Sequence, residues 1–560
     1  MRSAPLRPPG QTGEPASNFS SKKGTAPPVA QAVTYERLLR ARSEPQNWLT
    51  YYGAYDGQRF SALDQINASN VKQLKPAWVF QYGQIGLTAT PATYSWEAAP
   101  LVVDGVMYVS GWDGLVWALD AVTGDVLWQY KHAIPLDTPL CCGNVNRGVA
   151  VARGKVFVAT PNGRLIALDA TNGKPVWTQV WCDVRAGESA TMAPLVVKNL
   201  VLVGSSGAEY GVRGHIDAFD LDTGRRVWRR YNVPKPGEPG EETWPKKGDA
   251  WARGGGTAWI TGTYDPELDL VYWGTGNPGP DFDGASRPGD NLYTSSVVAF
   301  DPDDGKLRWH YQWTPHDIWD YDGVNENILF EQDGRKLLAH FDKNGYLFVL
   351  DRTNGQFVRA TKFARANWGD IDPATGKVTV RRTPSKEGSE INPGPAGAKE
   401  WPHAAYSPRT GLLYTPVVET TALFKIGPVE FKESLPYWGG EAQVTGDHWG
   451  ALKAFDPGNG REVWSVKYDG PMVASVLATA GDLVFTGTPT GEVVAHHART
   501  GECLWQFRTG SGIHSNPTTY SVGGKQYLAV PTGWGGWLDG FAPGLFGQPR
   551  GNSLFVFALP

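Results

Sequence analysis

Methionine is scarce in this chain, four in 560 residues, while glycine (68), tryptophan (24) and tyrosine (22) are plentiful. That balance favours turns and aromatic packing, hence many short strands over long helices. Long apolar runs are missing too: none reaches the ~18 residues of a membrane-spanning helix, so no transmembrane segment is expected. Neither sign of charge dominates, since Lys+Arg 52 against Asp+Glu 56 leave a formal net of −4; without a basic patch, no nucleic-acid partner is expected. No Cys-x-x-Cys-His occurs, which argues against a fused c-type haem unit. The first 45 residues, rich in Pro, Gly, Ser and Lys, lack the apolar h-region of a signal peptide. They are expected to be a disordered leader or the remnant of a targeting segment, with a short helix over 35–41. A single ordered domain is expected over residues 46–560.

What the chain does contain is a repeat. A small residue is followed by Asp two positions later, Gly six later and Trp ten later, first as Ala118, Asp120, Gly124, Trp128 and again from Ala167, Ala218, Ala299 and Ala454. Two degenerate copies join them: Val349, Asp351, Gly355 lacks the tryptophan, and Ala495, Gly501, Trp505 has His497 at the Asp position. Each copy reads as a strand ending at the Asp, a tight turn, and a second strand finishing on Trp. Apolar runs such as 101–109 and 151–158 supply another strand pair, and four strands at a period of about 50 residues make a propeller blade. The final run 554–559 has no hairpin after it, and 74–78 resembles the missing second strand. The repeats and this closure predict an all-β, eight-bladed β-propeller with tryptophan-docking repeats, closed by N- and C-terminal strands, with seven or nine blades as alternatives. The longer spacings from Asp220 to Asp301 and from Asp351 to Asp456 leave room for insertions over one face.

Chemistry concentrates in the stretch Thr314-Pro-His-Asp-Ile-Trp-Asp-Tyr-Asp-Gly323, where Asp317, Asp320 and Asp322 fall within six residues. Carboxylates this close repel unless they are solvated, paired with cations or wrapped around a metal. In extended backbone Asp320 and Asp322 share a face while Tyr321 points away. Taken alone, the stretch is either an exposed acidic loop or a hard-cation site.

Other motifs decide between these. They are Trp96-Glu97; Cys141-Cys142-Gly-Asn-Val-Asn-Arg147-Gly148; Thr191-Met-Ala-Pro194 with Gly204-Ser-Ser206-Gly207-Ala208-Glu209-Tyr-Gly-Val-Arg-Gly214; Gly254-Gly-Gly-Thr-Ala-Trp259 with Gly274-Thr-Gly-Asn277; and Asp342-Lys343-Asn-Gly345. In this order, and over residues 46–560, the chain resembles the pyrroloquinoline quinone (PQQ) dependent alcohol dehydrogenases, the quinoprotein family that includes methanol and ethanol dehydrogenases.

The resemblance implies PQQ held by Glu97, Arg147, Thr191, Ser206, Gly207, Ala208 and Lys343, with Trp259 on one face and a Cys141–Cys142 disulfide over the other. Neighbouring Cα atoms lie about 3.8 Å apart, so such a bond closes a tight ring and implies an oxidising compartment, here the periplasm. Arg147 brings a planar donor fork suited to a PQQ carboxylate. Glu209, Asn277, Asp320 and Asp322 are implied as metal ligands, with Asp320 the catalytic base. Calcium-dependent members carry a small residue where Asp322 stands and lanthanide-dependent members carry Asp, so one lanthanide ion is expected, with Ca²⁺ the alternative. Lys343 stands where many members have Arg. Glu419 and the stretch 471–475 depart from the family's cofactor contacts. Cys182 and Cys503 match nothing functional and are expected to be small buried hydrophobes.

The expected reaction is oxidation of a primary alcohol to its aldehyde, with electrons passed to a separate acceptor such as a soluble cytochrome c. The resemblance also leaves a homodimer open. Aromatic stretches 436–440 and 533–539 are expected at the substrate mouth. A calcium-dependent sugar or polyol dehydrogenase, and a non-catalytic propeller scaffold, are the rival readings. The scaffold reading predicts no convergence of Glu209, Asn277 and Asp320.

Overall fold

The structure is a computed structural model that describes residues 33–82, 95–135, 138–140, 142–536 and 550–560. Among these residues the strands form eight sheets of four or five strands and one two-stranded ribbon, Gly369–Ile371 with Val378–Val380. A typical sheet runs Leu101–Val103, Val106–Ser110, Val116–Asp120, Val126–Tyr130, each strand antiparallel to the one before it. Its first three strands are buried almost throughout and its fourth alternates with solvent. Sheets built this way, each leaning on the next, make a β-propeller.

The repeat explains the leaning. Cross-strand register sets the small residue opposite the tryptophan: Ala118 faces Trp128, Ala218 faces Trp228, Ala299 faces Trp309 and Ala454 faces Trp464. A register shift follows the small residue in each of these pairs, and such a bulge re-aims the side chain beside it. The indole then lies on the turn glycine of the next sheet, Trp78 on Gly124, Trp128 on Gly173, Trp177 on Gly224, Trp228 on Gly305, Trp309 on Gly355 and Trp464 on Gly501. The Trp128 Nε1–H donates to the Ala170 carbonyl at 2.9 Å, and Trp464 does the same to Ala498 at 3.0 Å. In the copy without tryptophan, Arg359 faces Val349 and Gly460 meets Thr361 instead. The Asp of the motif closes the turn: Asp120 Oδ1 accepts from the backbone N–H groups of Val122 and Thr123.

Lys75–Gln81 pairs antiparallel with Ser553–Ala558, in one sheet with Lys525–Thr532 and Thr518–Val522. The two long spacings hold irregular segments and a long hairpin, Leu412–Ile426 with Gly440–Phe455. Packing begins earlier than residue 46. Residues 1–32 lie outside the described residues, but Tyr35–Leu39 is helical and turns Leu38 into the core, where the flanking Val33 and Ala41 are also buried. Cys503 corrects another expectation: it is exposed, because it sits on an outward strand, Cys503–Arg508. No described helix is long and apolar enough to cross a membrane.

The docking contact yields a paired test. A Cβ on Gly173 (φ +71°) would lie 2.5 Å from Trp128 Cε3, whereas one on Gly334 (φ +73°) would meet nothing within 4 Å. Both Gly→Ala changes carry the left-handed backbone cost of roughly 1–2 kcal/mol, and G173A adds roughly 1–3 kcal/mol of overpacking. Thermal unfolding is expected to show G173A melting below G334A; equal melting temperatures would show that the indole–glycine contact does not hold neighbouring sheets together.

Candidate functional site

The acidic stretch is built by its first aspartate. Buried Asp317 accepts from the backbone N–H of Trp319 at 2.9 Å and of Tyr321 at 2.8 Å, and from Ser295 Oγ at 3.0 Å, while Arg287 holds its carbonyl at 2.6 Å. Burial pushes the Asp317 carboxyl up to about 7. This turn sends Trp319 and Tyr321 into the core against Trp368. Asp320 and Asp322 instead line one cavity of about 1080 Å³, its open mouth included. Asp320 has a left-handed backbone, φ +64°, uncommon for a residue other than glycine and frequent at functional sites.

The cavity gathers Cys142, Arg147, Thr191, Ser206, Gly207, Glu209, Trp259, Asp320, Asp322 and Lys343, all of them expected site residues. Asp322 is tied on both oxygens: Oδ1 accepts from the Asn277 backbone N–H at 3.0 Å and from Trp259 Nε1–H at 3.3 Å, and Oδ2 accepts from Lys343 Nζ at 3.1 Å. Lys343 also stands 3.6 Å from Asp320 Oδ2. Gly276 is required beside this carboxylate, since a Cβ there would lie 2.5 Å from Asp322 Oδ1. Glu209 sits in the short turn Ala208–Tyr210 between two left-handed glycines, Gly207 and Gly211.

Electrostatics follow from burial and crowding. Burial first, then Asp322, Asp281 and Glu209, hold Asp320 well above the usual carboxylate range against the pull of Lys343. Burial lowers Lys343, but Asp320, Asp322 and Glu400 outweigh it and hold the ammonium well above its ordinary value. A bound cation would reverse the balance at the carboxylates. Both Asn277 side-chain amide atoms are buried without a hydrogen-bond partner, as are Nε and Nη1 of Arg147. Buried polar atoms are rarely left so, and an unpartnered amide and guanidinium fork on the residues next to these carboxylates fit a hard cation and an anionic cofactor.

Three expected contacts differ. Glu97 is fully buried behind the cavity wall and pairs with Arg147 Nη2 at 2.9 Å, so its reach into the cavity runs through that arginine. Ala208 and the Asn277 side chain are buried next to lining residues but do not line the cavity. Cys141 lies outside the described residues, as does the aromatic stretch from 537 onward; Cys142 lines the cavity with φ +64°. Arg147 is stacked between Trp259 and Trp401, 4.9 and 4.7 Å from the ring centroids. Glu419 is turned to Arg365 Nε at 2.8 Å and does not line the cavity, nor do the residues around Val473.

Sequence reasoning missed Asp281 and Glu400. Asp281 is buried in the cavity wall with Oδ1 unpartnered, and burial with Glu209 and Asp322 holds it well above the usual range. The only signal was its place four residues after Asn277, just past the motif that drew attention. Glu400, pushed up to about 7 by burial, gave no signal beyond a charge pair inside an apolar run. On the other side, Trp438 from the expected aromatic stretch lines the mouth with Phe282, Ala442 and Val444.

Away from the cavity's lining, Glu326 takes Lys399 Nζ at 2.9 Å and faces His403 Nδ1 at 3.2 Å, all three fully buried. Burial raises Glu326, yet Lys399 and His403 outweigh it and bring it to about 2; burial lowers His403 to about 4. The unfolded chain therefore binds the extra protons, so stability falls as pH drops from 6.5 to about 4 through His403 and from 4.5 to about 2 through Glu326. E326Q leaves Lys399 buried without its carboxylate and is expected to cost about 3–5 kcal/mol. Unfolding followed against pH checks both points: a variant as stable as the parent at neutral pH overturns the ion-pair account.

A family model described as "Glucose/ethanol/alcohol dehydrogenase, beta-propeller domain" matches residues 48–366, and one described as "Outer membrane protein assembly factor BamB" matches residues 449–525. The chain is 39% identical to the quinoprotein alcohol dehydrogenase PedH of Pseudomonas putida, over 94% of each chain. It is also 39% identical to the lanthanide-dependent methanol dehydrogenase of Methylacidiphilum fumariolicum, over 91% of this chain and 88% of that one. A europium-containing methanol dehydrogenase structure superposes with a TM-score of 0.86 at 37% identity, covering 94% of this chain and 100% of that one. These likenesses set the scaffold reading aside: the chain belongs to the family of PQQ-dependent quinoprotein alcohol dehydrogenases, oxidoreductases built on a β-propeller.

Proposed function

We propose that this dehydrogenase oxidises primary alcohols to aldehydes with a lanthanide ion as its Lewis acid, and passes electrons to a separate carrier such as a soluble cytochrome c. The observation that carries the metal choice is Asp322, a second aspartate reaching the cavity that Asp320 and Glu209 also line. One more carboxylate suits a trivalent ion, and the lanthanide-dependent and europium-containing relatives support the same reading. The proposal extends to an eight-bladed ring over residues 46–560, supported by the eight larger sheets and by the pairing of Lys75–Gln81 with Ser553–Ala558. It also includes a Cys141–Cys142 disulfide and a periplasmic location.

In this reading Arg147, Thr191, Ser206, Gly207, Trp259 and Lys343 hold PQQ together with the two cysteines, and Glu209, Asn277, Asp320 and Asp322 hold the metal. Bound PQQ supplies the two-electron acceptor and the bound cation supplies Lewis acidity. Asp320 takes the hydroxyl proton of the alcohol. Lys343, between Asp320 and Asp322, steadies both as carboxylates. Phe282, Trp438, Ala442 and Val444 give the mouth an apolar wall that suits the carbon end of the substrate. Lys343 also carries the rival reading: its ammonium already offsets one carboxylate, which favours a divalent ion such as Ca²⁺.

Apo-protein given PQQ and ethanol, with La³⁺ or Ca²⁺, is expected to reduce an artificial dye with La³⁺ alone; activity with Ca²⁺ alone discards the lanthanide. In D322A the lanthanide-supported rate is expected to collapse while any calcium-supported rate survives, and equal loss with both metals overturns the role given to Asp322. D320N is expected to lose roughly 10²–10⁴-fold in kcat with either metal.

A further inference from the structure

A second group of ligand-type side chains lies outside the cofactor cavity. Cys182 Sγ, a Glu188 carboxylate oxygen and a His215 ring nitrogen all lie within 4.8 Å of one another. Among the described residues no other group of three or more His, Cys, Asp or Glu side chains meets that spacing, the carboxylates around Asp322 included. Cys182 follows the strand Pro175–Val180, His215 opens the strand His215–Asp220, and Glu188 ends the turn between Cys182 and Ser189.

The histidine is oriented as a metal ligand would be. Its Nδ1 lies 2.5 Å from Asp217 Oδ2, and Asp217 is itself fixed by Arg229 Nε at 2.9 Å. That leaves Nε2 toward Glu188, whose Oε1 stands 3.5 Å away, an ion-pair distance rather than a close hydrogen bond. The ring is fully buried, so Nε2 is a buried polar atom with no hydrogen-bond partner. Cys182 makes only a 3.5 Å contact to the Ser189 carbonyl, and Glu188 is pre-set by the Asp183 N–H on its other oxygen at 2.7 Å. A carboxylate behind the far nitrogen of a ligating imidazole is the usual support of a metal-bound histidine.

We propose that Cys182, Glu188 and His215 bind a divalent transition-metal ion of the zinc class. Thiolate, carboxylate and neutral imidazole together balance a divalent charge, the thiol proton and the Nε2 proton of His215 leave to solvent as the sulfur–metal and nitrogen–metal bonds form, and water completes a four-coordinate shell. The ion would act structurally. Ser189 and Ser206 exchange backbone hydrogen bonds at 3.1 and 2.9 Å and a hydroxyl contact at 2.8 Å. Gly187 packs on Tyr210. Tying Glu188 to His215 therefore fixes the segment that supports the Ser206–Tyr210 loop, which presents Glu209 to the cavity.

The test uses the full chain. Chelator-stripped protein titrated with Co²⁺ is expected to develop a near-ultraviolet thiolate-to-cobalt band, absent in C182S, and zinc content is expected to fall by a single ion per chain in both C182S and H215Q. Should those variants fold poorly, X-ray absorption at the zinc edge of the unaltered protein decides: a sulfur scatterer beside nitrogen and oxygen supports the site. A shell without sulfur, no zinc uptake, or uptake unchanged in both variants overturns it, leaving a protonated His215 paired with Glu188 and Asp217.

Discussion

Like-charge crowding in a buried place is the constraint on which this molecule turns. Asp281, Asp320 and Asp322 converge with Glu209 and Glu400 on one cavity, where only Lys343 and Arg147 among the lining residues carry positive charge. Water cannot screen charges there as it does on a surface, so unpaired ionised carboxylates would be very costly. The protein fixes them nonetheless: Asp322 by two N–H donors and Lys343, and Asp320 by a turn wound around Asp317. Groups that repel and are still held in place fit the hard-cation site proposed above, and the unpartnered Asn277 amide is consistent with it.

Holding such a site requires a frame that does not relax, and the tryptophan repeat supplies it. Each indole spans from its own sheet to the turn of the next, so a shift in one sheet is felt by its neighbour. The frame leaves the connecting loops free to carry chemistry. Gly204–Gly214, Gly254–Trp259, Gly274–Asp281 and Thr314–Gly323 come from different places in the chain but open on one cavity. The inserted hairpin then brings Trp438, Ala442 and Val444 over them.

Much of this was legible in the sequence because it is periodic. A spacing of ten from a small residue to a tryptophan is a cross-strand pair once the turn is known, and the register bears that out at Ala118 and Trp128. Asp320 and Asp322 do share the cavity while Tyr321 turns into the core, but through a left-handed turn at Asp320 rather than the extended backbone from which that split was expected. What was not legible depends on contacts far apart in the chain. Nothing local marks Glu326 for Lys399 and His403, or Glu97 for Arg147, because burial of a charge is decided by a partner that sequence does not bring near. Cys503 was misjudged for the same reason: its residue type says buried, but its strand faces out.

Charge bookkeeping ties the metal question to Lys343. With Glu209, Asp281, Asp320, Asp322 and Glu400 ionised and Lys343 and Arg147 charged, the residues lining the cavity carry a net of three negative charges. A trivalent ion would bring that to neutrality, while a divalent ion would leave one carboxylate unmatched or protonated. Asp281 thus bears on the choice as much as Asp322 does, though it came from no motif. Removing Asp281 lowers the negative charge of the cavity without touching the donors that orient Asp322, so the two aspartates separate the effect of total charge from that of a particular ligand position.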